Sequence, residues 1–459
     1  MLPRSLLAFP RRAVTLGLLI GSFMGSMEAT VVATAMPSIV AQLGGFSLYG
    51  WAFSIYVLAS SAGIPLAGKL SDILGRRVVY LGSMLLFLAA SLLCAFAPSM
   101  PCLIVFRALQ GLGAAGLLPL ALVMIGDMFT FAERARIQAL FSAVWGVSSI
   151  VGPLLGGFLV DRVGWPSVFY INVPFGILSA WFVWHYWTDH HDLSASSPHI
   201  DYAGAALITL STISLLLGLT DLTAWFGPPL ILLSVLLAGL LWRVEQRSPD
   251  PVVPLRLFSW PLFTLSLLHS LTIGWALNGV TAYVPLYVQQ VQGKSATEAG
   301  AALTPLLLSW VVSSALCARL MLRTGYRGPA LAGMSFVIAG SILLALLQPD
   351  SPHSLLLSSM LIMGAGFGLT VPALLIAVQM LVDRQSMGVA TSALQFARGI
   401  GGSIGVGVMS AFLNSRIPAA GIASALQSTF WLAGVVTLLG LAFTLAAPHV
   451  SAAELNRRR

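Results

Sequence analysis

Fourteen apolar runs, each about the length of a membrane-crossing helix, constrain this chain more than any other feature. They lie near 13–36, 50–70, 78–97, 101–126, 138–160, 167–187, 203–221 and 226–243, then 261–289, 299–320, 329–348, 354–381, 388–413 and 428–448. A helix needs about 20 largely apolar residues to cross a hydrocarbon layer roughly 30 Å thick. Only short polar stretches separate the runs, which leaves no room for a soluble domain between them. Of 459 residues, 58% are hydrophobic and 8% charged, against about one-quarter charged in a soluble protein. A soluble enzyme, a nucleic-acid binder and a disordered chain are excluded together, and the fold class is an all-α polytopic membrane protein. The first run follows Arg4, Arg11 and Arg12 and is too long for a signal-peptide core, so it reads as a first membrane helix. Cys94, Cys102 and Cys317 fall in or beside apolar runs and imply no disulfide framework.

The net charge of +8 is a matter of topology. With the N-terminus in the cytoplasm, 18 of the 23 Lys and Arg fall on the cytoplasmic side, three outside (Arg162, Lys294, Arg416) and two within spans (Arg107, Arg398). Basic residues collect on the inner face of membrane proteins, so both termini are expected inside. The absence of an N-x-Ser/Thr sequon favours a bacterial plasma membrane.

An internal repeat organises the spans. A shift of 253 residues carries Gly111, Gly113 and Pro119 onto Gly364, Gly366 and Pro372, and Gly146 and Gly152 onto Gly399 and Gly405. A shift of 250 carries Lys69-Leu70, Gly75 and Arg77 onto Arg319-Leu320, Gly325 and Arg327. Internal repeats of this kind are a common plan for transporters. The expected layout is a six-helix bundle over 1–187, an inserted pair of helices with its flanking polar loop and cytoplasmic linker over 188–260, and a second six-helix bundle over 261–459.

Specific segments resemble a known family. The loop Gly68-Lys69-Leu70-Ser71-Asp72-Ile73-Leu74-Gly75-Arg76-Arg77 is similar to the loop 2–3 signature of the major facilitator superfamily, with Ile73 at a usually basic position. Arg107 to Gly113 resembles its span-four motif, and Gly146, Gly152, Pro153, Gly156 and Gly157 its span-five antiporter motif. Glu28-x-Thr30-x6-Pro37 resembles a span-one motif of the fourteen-helix drug:proton antiporters, with Glu28 for the usual Asp and Ala33 for the usual Asn. Residues 165–176 and 285–289 also resemble that subfamily. The resemblance covers nearly the whole chain. It implies a major facilitator fold of two six-helix bundles plus two inserted helices, working as a proton-coupled exporter by alternating access.

Glu28 lies about 15 residues into its span, roughly 22 Å deep at 1.5 Å per residue. A carboxylate there is costly unless paired, wetted or protonated, so it is a candidate for proton coupling. Arg107 enters from the opposite side, about six residues past Pro101 and so roughly 9 Å deep, which is a level comparable to that of Glu28, and it must also find a partner. The resemblance puts spans one and four on the central cavity, where the two could communicate; the competing reading has each satisfied structurally. Arg398, near mid-span with Gln395 one turn earlier, could meet a polar or anionic part of a substrate, or bond to Gly-rich backbone. Trp275, Asn278 and Tyr283 complete the candidate cavity. Gly68, Asp72, Gly75, Arg76 and Arg77 are expected to act as a gating loop, with Asp72 meeting a helix N-terminus or an Arg. The glycines of span five also have a simple packing role.

Other matches fail on context. Gly111-x-Gly113-x2-Gly116 reads as a dinucleotide fingerprint but sits inside an apolar span. His185, His190, His191 and His199 lack the ligand set of a metal site. No nucleophile–base or paired-carboxylate spacing supports an enzyme, and no metal or cofactor is implied. The expected partners are protons, the lipid bilayer and a small amphipathic compound, biased toward cations by Glu28; nucleic acid is not among them. An envelope adaptor docking on the inserted helices is an open alternative. So are a dedicated exporter of one endogenous metabolite and, remotely, a non-transporting sensor.

Overall fold

Backbone hydrogen bonding dictates the architecture: with no water in a bilayer core, an apolar run satisfies its N–H and C=O groups by becoming a helix. The computed structural model describes residues 4–129, 131–188, 202–220, 225–247, 255–382 and 387–448, and every regular element there is helical. In chain order these are α1 (Arg4–Leu43), the single-turn 3-10 helix Phe46–Leu48, α2 (Tyr49–Leu74), α3 (Arg76–Ala95), α4 (Met100–Met128), α5 (Phe131–Arg162), α6 (Ser167–Tyr170), α7 (Asn172–Tyr186) and α8 (Tyr202–Thr220). They continue with α9 (Gly227–Glu245), α10 (Leu255–Phe258), α11 (Pro261–Gln290), α12 (Ala296–Thr324), α13 (Arg327–Ala345), α14 (His353–Leu381) and α15 (Met387–Ala446). Ten helical segments among the described residues are long and apolar enough to cross a membrane, so the protein is a multi-pass membrane protein.

Local chemistry sets the helix ends. α12 opens on a capping box: Ser295 Oγ accepts from the Glu298 N–H at 3.2 Å, and Glu298 Oε2 accepts from the Ser295 N–H at 3.0 Å. Pro101 sits in the first turn of α4, where no intrahelical donor is lost. Gly75 (φ 92°) turns α2 into α3, and Gly325 (φ 73°) turns α12 into α13. Both backbones occupy the left-handed region that a side chain disfavours, so each repeat keeps glycine at the same turn.

The chain divides into two compact units. One comprises Met1–Leu48 and Ile55–Pro198, the other Tyr49–Ser54 and His199–Arg459. In the first, α1 packs on α5 and α7, and α3 on α4, around a core that includes Tyr80, Met84, Phe87, Leu120 and Met124. In the second, α11 packs on α15 and α14 on both α12 and α13, around Phe263, Met321, Tyr326, Leu374 and Val378. A Cβ on Gly113 would meet the Phe87 backbone nitrogen of α3 at 2.5 Å, and one on Gly366 the Val337 nitrogen of α13 at 2.6 Å. The repeated glycines therefore occupy equivalent seats. α8 and α9 pack on each other, with Ser211 Oγ donating to the Ser234 carbonyl at 3.0 Å, and α8 also touches α15. The opposite side of α9, including Leu232, Val235 and Leu236, is exposed and suits lipid.

Residues 414–427, expected as a loop between two spans, are helical within α15. Only Gly421 (φ 72°) leaves the helix, three residues after Pro418. The segment is rich in Ala, which holds helical dihedrals on both sides of the break. The polar stretch 189–201, the linker 248–254 and residues 449–459 lie outside the described residues.

Candidate functional site

Close packing of α1 places the first cluster. Gly156 of α5 lies where a Cβ would meet Thr34 Oγ1 of α1 at 2.6 Å, so α5 can approach α1 backbone to backbone. Around Glu28 the α1 side chains Met27, Val31 and Val32 are fully buried and apolar. Glu28 itself has no exposed surface, and Arg107 of α4 is 1% exposed.

The two form a direct ion pair, with Arg107 Nη1 2.5 Å from Glu28 Oε1. The same nitrogen lies 2.6 Å from Gln110 Oε1, one turn along α4, and Gln110 Nε2 donates to Ser91 Oγ of α3 at 2.8 Å. The second carboxylate oxygen, Glu28 Oε2, accepts from Asn172 Nδ2 at the start of α7, at 2.7 Å. Arg107 Cζ stands 4.2 Å from the centre of the Tyr56 ring of α2, a cation–π contact. A buried ion pair persists only when geometry is good and the remaining lone pairs and protons are satisfied. Here five helices supply that shell. One atom is the exception: Asn172 Oδ1 is buried without a hydrogen-bond partner among the described residues.

Sequence reasoning singled out Glu28 and Arg107, and the structure brings them together. It missed the amides and hydroxyl that complete the cluster. Asn172 and Gln110 stood inside motifs, but nothing in their spacing shows that α7 and α4 converge on α1. The pairing also changes the electrostatic picture. Glu28 presents no free carboxylate to a ligand, so the cationic bias drawn from its charge loses its basis.

The contacts described for the expected gating loop lie within the first unit. Arg76 Nη1 donates to Ser71 Oγ at 3.0 Å, and Arg76 Nε lies 3.5 Å from Asp127 Oδ2 at the end of α4. Arg77 Cζ lies 4.5 Å from the centre of the Trp184 ring of α7. Gly75 makes the turn, and Gly68 has open space beside it. The Asp72 side chain lies outside the described residues. In the span-five motif, Gly152, Pro153, Gly156 and Gly157 are buried, Gly152 and Gly156 against α1, while Gly146 is half-buried.

The second unit holds a small cavity between α11, α14 and α15, lined by Gln395, Arg398, His269, Ser270 and apolar residues including Ile273 and Leu374. Gly274 of α11 lies directly against the Arg398 carbonyl, which seats this stretch of α15. Arg398 Nη2 donates to Gln395 Oε1 at 2.5 Å, and no carboxylate pairs with Arg398 among the described residues. His269, which sequence reasoning passed over, is 2% exposed. Its Nδ1 lies 3.0 Å from Thr444 Oγ1 and 3.3 Å from the Gly440 carbonyl, and its Nε2 3.1 Å from Thr370 Oγ1. An ionisable residue eight positions into a span was the signal available for it.

Trp275, Asn278 and Tyr283, expected beside Gln395 and Arg398, do not line this cavity. They project from α11 at positions that pack against α15: Trp275 on Gly405, Asn278 on Gly402, and Tyr283 fully buried with Oη donating to the Val406 carbonyl at 2.9 Å. The face of α11 carrying His269, Ser270 and Ile273 is the one that meets the cavity. His185 is exposed, with its ring tilted against Trp181 and Nδ1 3.0 Å from the Trp181 carbonyl; His190, His191 and His199 lie outside the described residues.

Comparison with known proteins adds to this geometry. Residues 18–406 match the family model described as Major Facilitator Superfamily. The chain is 36% identical over 412 residues to a Bacillus subtilis (strain 168) protein named Multidrug transporter protein MdtP, covering 88% of this chain and 76% of that one. It is 35% identical over 399 residues to Multidrug resistance protein 3 of the same organism, covering 86% and 78%. Among solved structures, a bacterial homologue of the human lysosomal transporter Spinster superposes with a TM-score of 0.71 over 98% of both chains. At 17% identity that likeness concerns the fold alone.

Proposed function

Because this chain belongs to the major facilitator superfamily, we propose that it is a proton-coupled efflux antiporter of the fourteen-helix type, exporting small amphipathic organic compounds by alternating access. Relatives named as multidrug proteins support efflux. Fourteen spans are supported by arithmetic: α15 has 60 residues, which at 1.5 Å each is about 90 Å, some three bilayer cores. Broken at Gly421 it supplies two spans, and α2, α8 and α11 bring the total to the proposed number. On this reading α8 and α9 tether two six-helix bundles, and both termini lie in the cytoplasm of a bacterial cell.

One observation carries the proton coupling: the fully buried Glu28–Arg107 pair with its amide shell. Protonating Glu28 cancels the attraction that holds Arg107 at Oε1. A guanidinium left alone in a low-dielectric interior is unfavourable, so it favours a rearrangement in which Arg107 finds water or another acceptor. Deprotonation restores the pair. The two protonation states thereby prefer two arrangements of α1 against α4, which is what coupling a proton to a conformational cycle requires.

Glu28→Gln tests this reading in inside-out vesicles with a lipophilic dye. The variant should insert and fold, because it mimics a state the cycle visits, yet lose export driven by a proton gradient. Full gradient-driven transport by Glu28→Gln would sink the assignment.

A further inference from the structure

The intramembrane charges do not balance. Glu28, Arg107 and Arg398 are the acidic and strongly basic side chains that lie well inside the apolar runs, away from their ends. Glu28 and Arg107 neutralise each other in direct contact, out of reach of solvent. Arg398 is left over. It is half-buried, and its described hydrogen-bond partner is the neutral amide of Gln395.

A guanidinium at membrane depth without a counter-charge is costly, and such residues mark substrate or ion pathways. The neighbouring groups do not relieve it. His269 has both ring nitrogens engaged with Thr444, Gly440 and Thr370, on its own side of the cavity. Ser270 gives its proton to the Ser266 carbonyl at 2.8 Å. The remaining wall, which includes Ile273, Val371, Leu374 and Leu394, is apolar. A cation with a neutral amide at one end of an apolar wall is complementary to an apolar body bearing an acidic group. Guanidinium binds a carboxylate through two parallel N–H···O bonds, which fixes orientation as well as charge.

We infer that Arg398 is the docking point for an acidic group on the exported compound, and that the cargo class is amphipathic organic acids. This rests on the efflux reading for the word cargo, and on the second unit alone for the site.

The test uses full-length protein in nanodiscs of phosphatidylcholine, so that no anionic lipid competes. The probes are 2-naphthoate, its methyl ester and 2-naphthylmethylammonium, three compounds with one ring system and different charge. Calorimetric titration should show the acid binding about tenfold or more tighter than the ester, with the ammonium weakest. In Arg398→Gln the acid-to-ester ratio should collapse toward one, and Arg398→Lys should keep part of it. An acid preference that survives Arg398→Gln, or a wild type that prefers the ammonium, overturns the site. If Arg398→Gln does not fold, the wild-type order of the three probes still decides. Wild-type liposomes that bind 2-naphthoate but move neither acid nor ester under a proton gradient would overturn the cargo assignment through the efflux reading, leaving the anion site standing.

Discussion

Arg107 is the residue on which the first cluster depends. It fills a fully buried volume, touches Glu28 and Gln110 through one nitrogen and covers the Tyr56 ring. Arg107→Ala removes all three contacts, and breaking a buried pair by deleting one partner costs about 3–5 kcal/mol. Glu28→Gln keeps the shape and one accepting oxygen. Thermal unfolding of purified variants should therefore place Arg107→Ala well below Glu28→Gln. Asn172 offers a subtler test. Its Nδ2 donates to Glu28 Oε2 while Oδ1 has no partner among the described residues, so the amide favours the ionised carboxylate and a half-turn would let it accept from the protonated one. A hydrogen bond to a charged group is worth about 1.5–3 kcal/mol, and one pH unit corresponds to about 1.4 kcal/mol. With the donor removed in Asn172→Ala, the pH at half-maximal proton-driven transport should move upward by about one unit; an unchanged profile would make Asn172 a packing residue. At this scale the sequence exposed charge in the wrong solvent, which is why Glu28, Arg107 and Arg398 stood out. It concealed neutral partners, because an Asn or Gln inside a motif looks the same whether it faces lipid, a cavity or a carboxylate.

Helix packing was legible wherever glycine marked it. The 253-residue shift read from the chain corresponds to matched seats, Gly113 on Phe87 and Gly366 on Val337. Gly113→Ala and Gly366→Ala should each lower stability by about 1–3 kcal/mol, the usual effect of overpacking, whereas Gly407→Ala, with nothing within 4 Å of the new Cβ, should be neutral. Equal melting temperatures for all three would show that these contacts are loose. The direction of α11 was not legible. Its pattern is apolar almost all round, so periodicity could not tell the face carrying His269 and Ser270 from the one bearing Trp275 and Asn278. The break at Gly421 was hidden for a related reason: Asn414-Ser415-Arg416 and Pro418 read as a loop, yet the chain stays helical beside them. For α8 and α9, whose described polar contact is made between themselves, Ser211→Ala should change export far less than Glu28→Gln. Altered substrate preference from Ser211→Ala would move the pair into the transport path.

At the scale of the whole molecule, the asymmetric placement of 18 basic residues against three predicts sidedness that chemistry can check. In a background with Cys94, Cys102 and Cys317 replaced, Ser295→Cys should react with an impermeant maleimide in intact cells, and Thr324→Cys only after permeabilisation. The reverse pattern would invert the topology. All-helical architecture and the repeat could be read from the chain because length and apolarity are one-dimensional properties; the charge balance of the interior could not, since it depends on which cation meets the single deep acid. That balance has an electrical consequence. Inward movement of one proton in exchange for outward movement of one monoanion transfers two charges in the same electrical sense. Each is worth about 2.3 kcal/mol at 100 mV. The same exchange with a neutral ester transfers one. Clamping the voltage to zero with valinomycin and potassium, at a constant pH gradient, should therefore reduce the accumulation ratio of 2-naphthoate more than that of its ester. The unmatched guanidinium of Arg398 would then make the resting potential of the cell, as much as its acidity, the force that clears acidic compounds from the cytoplasm.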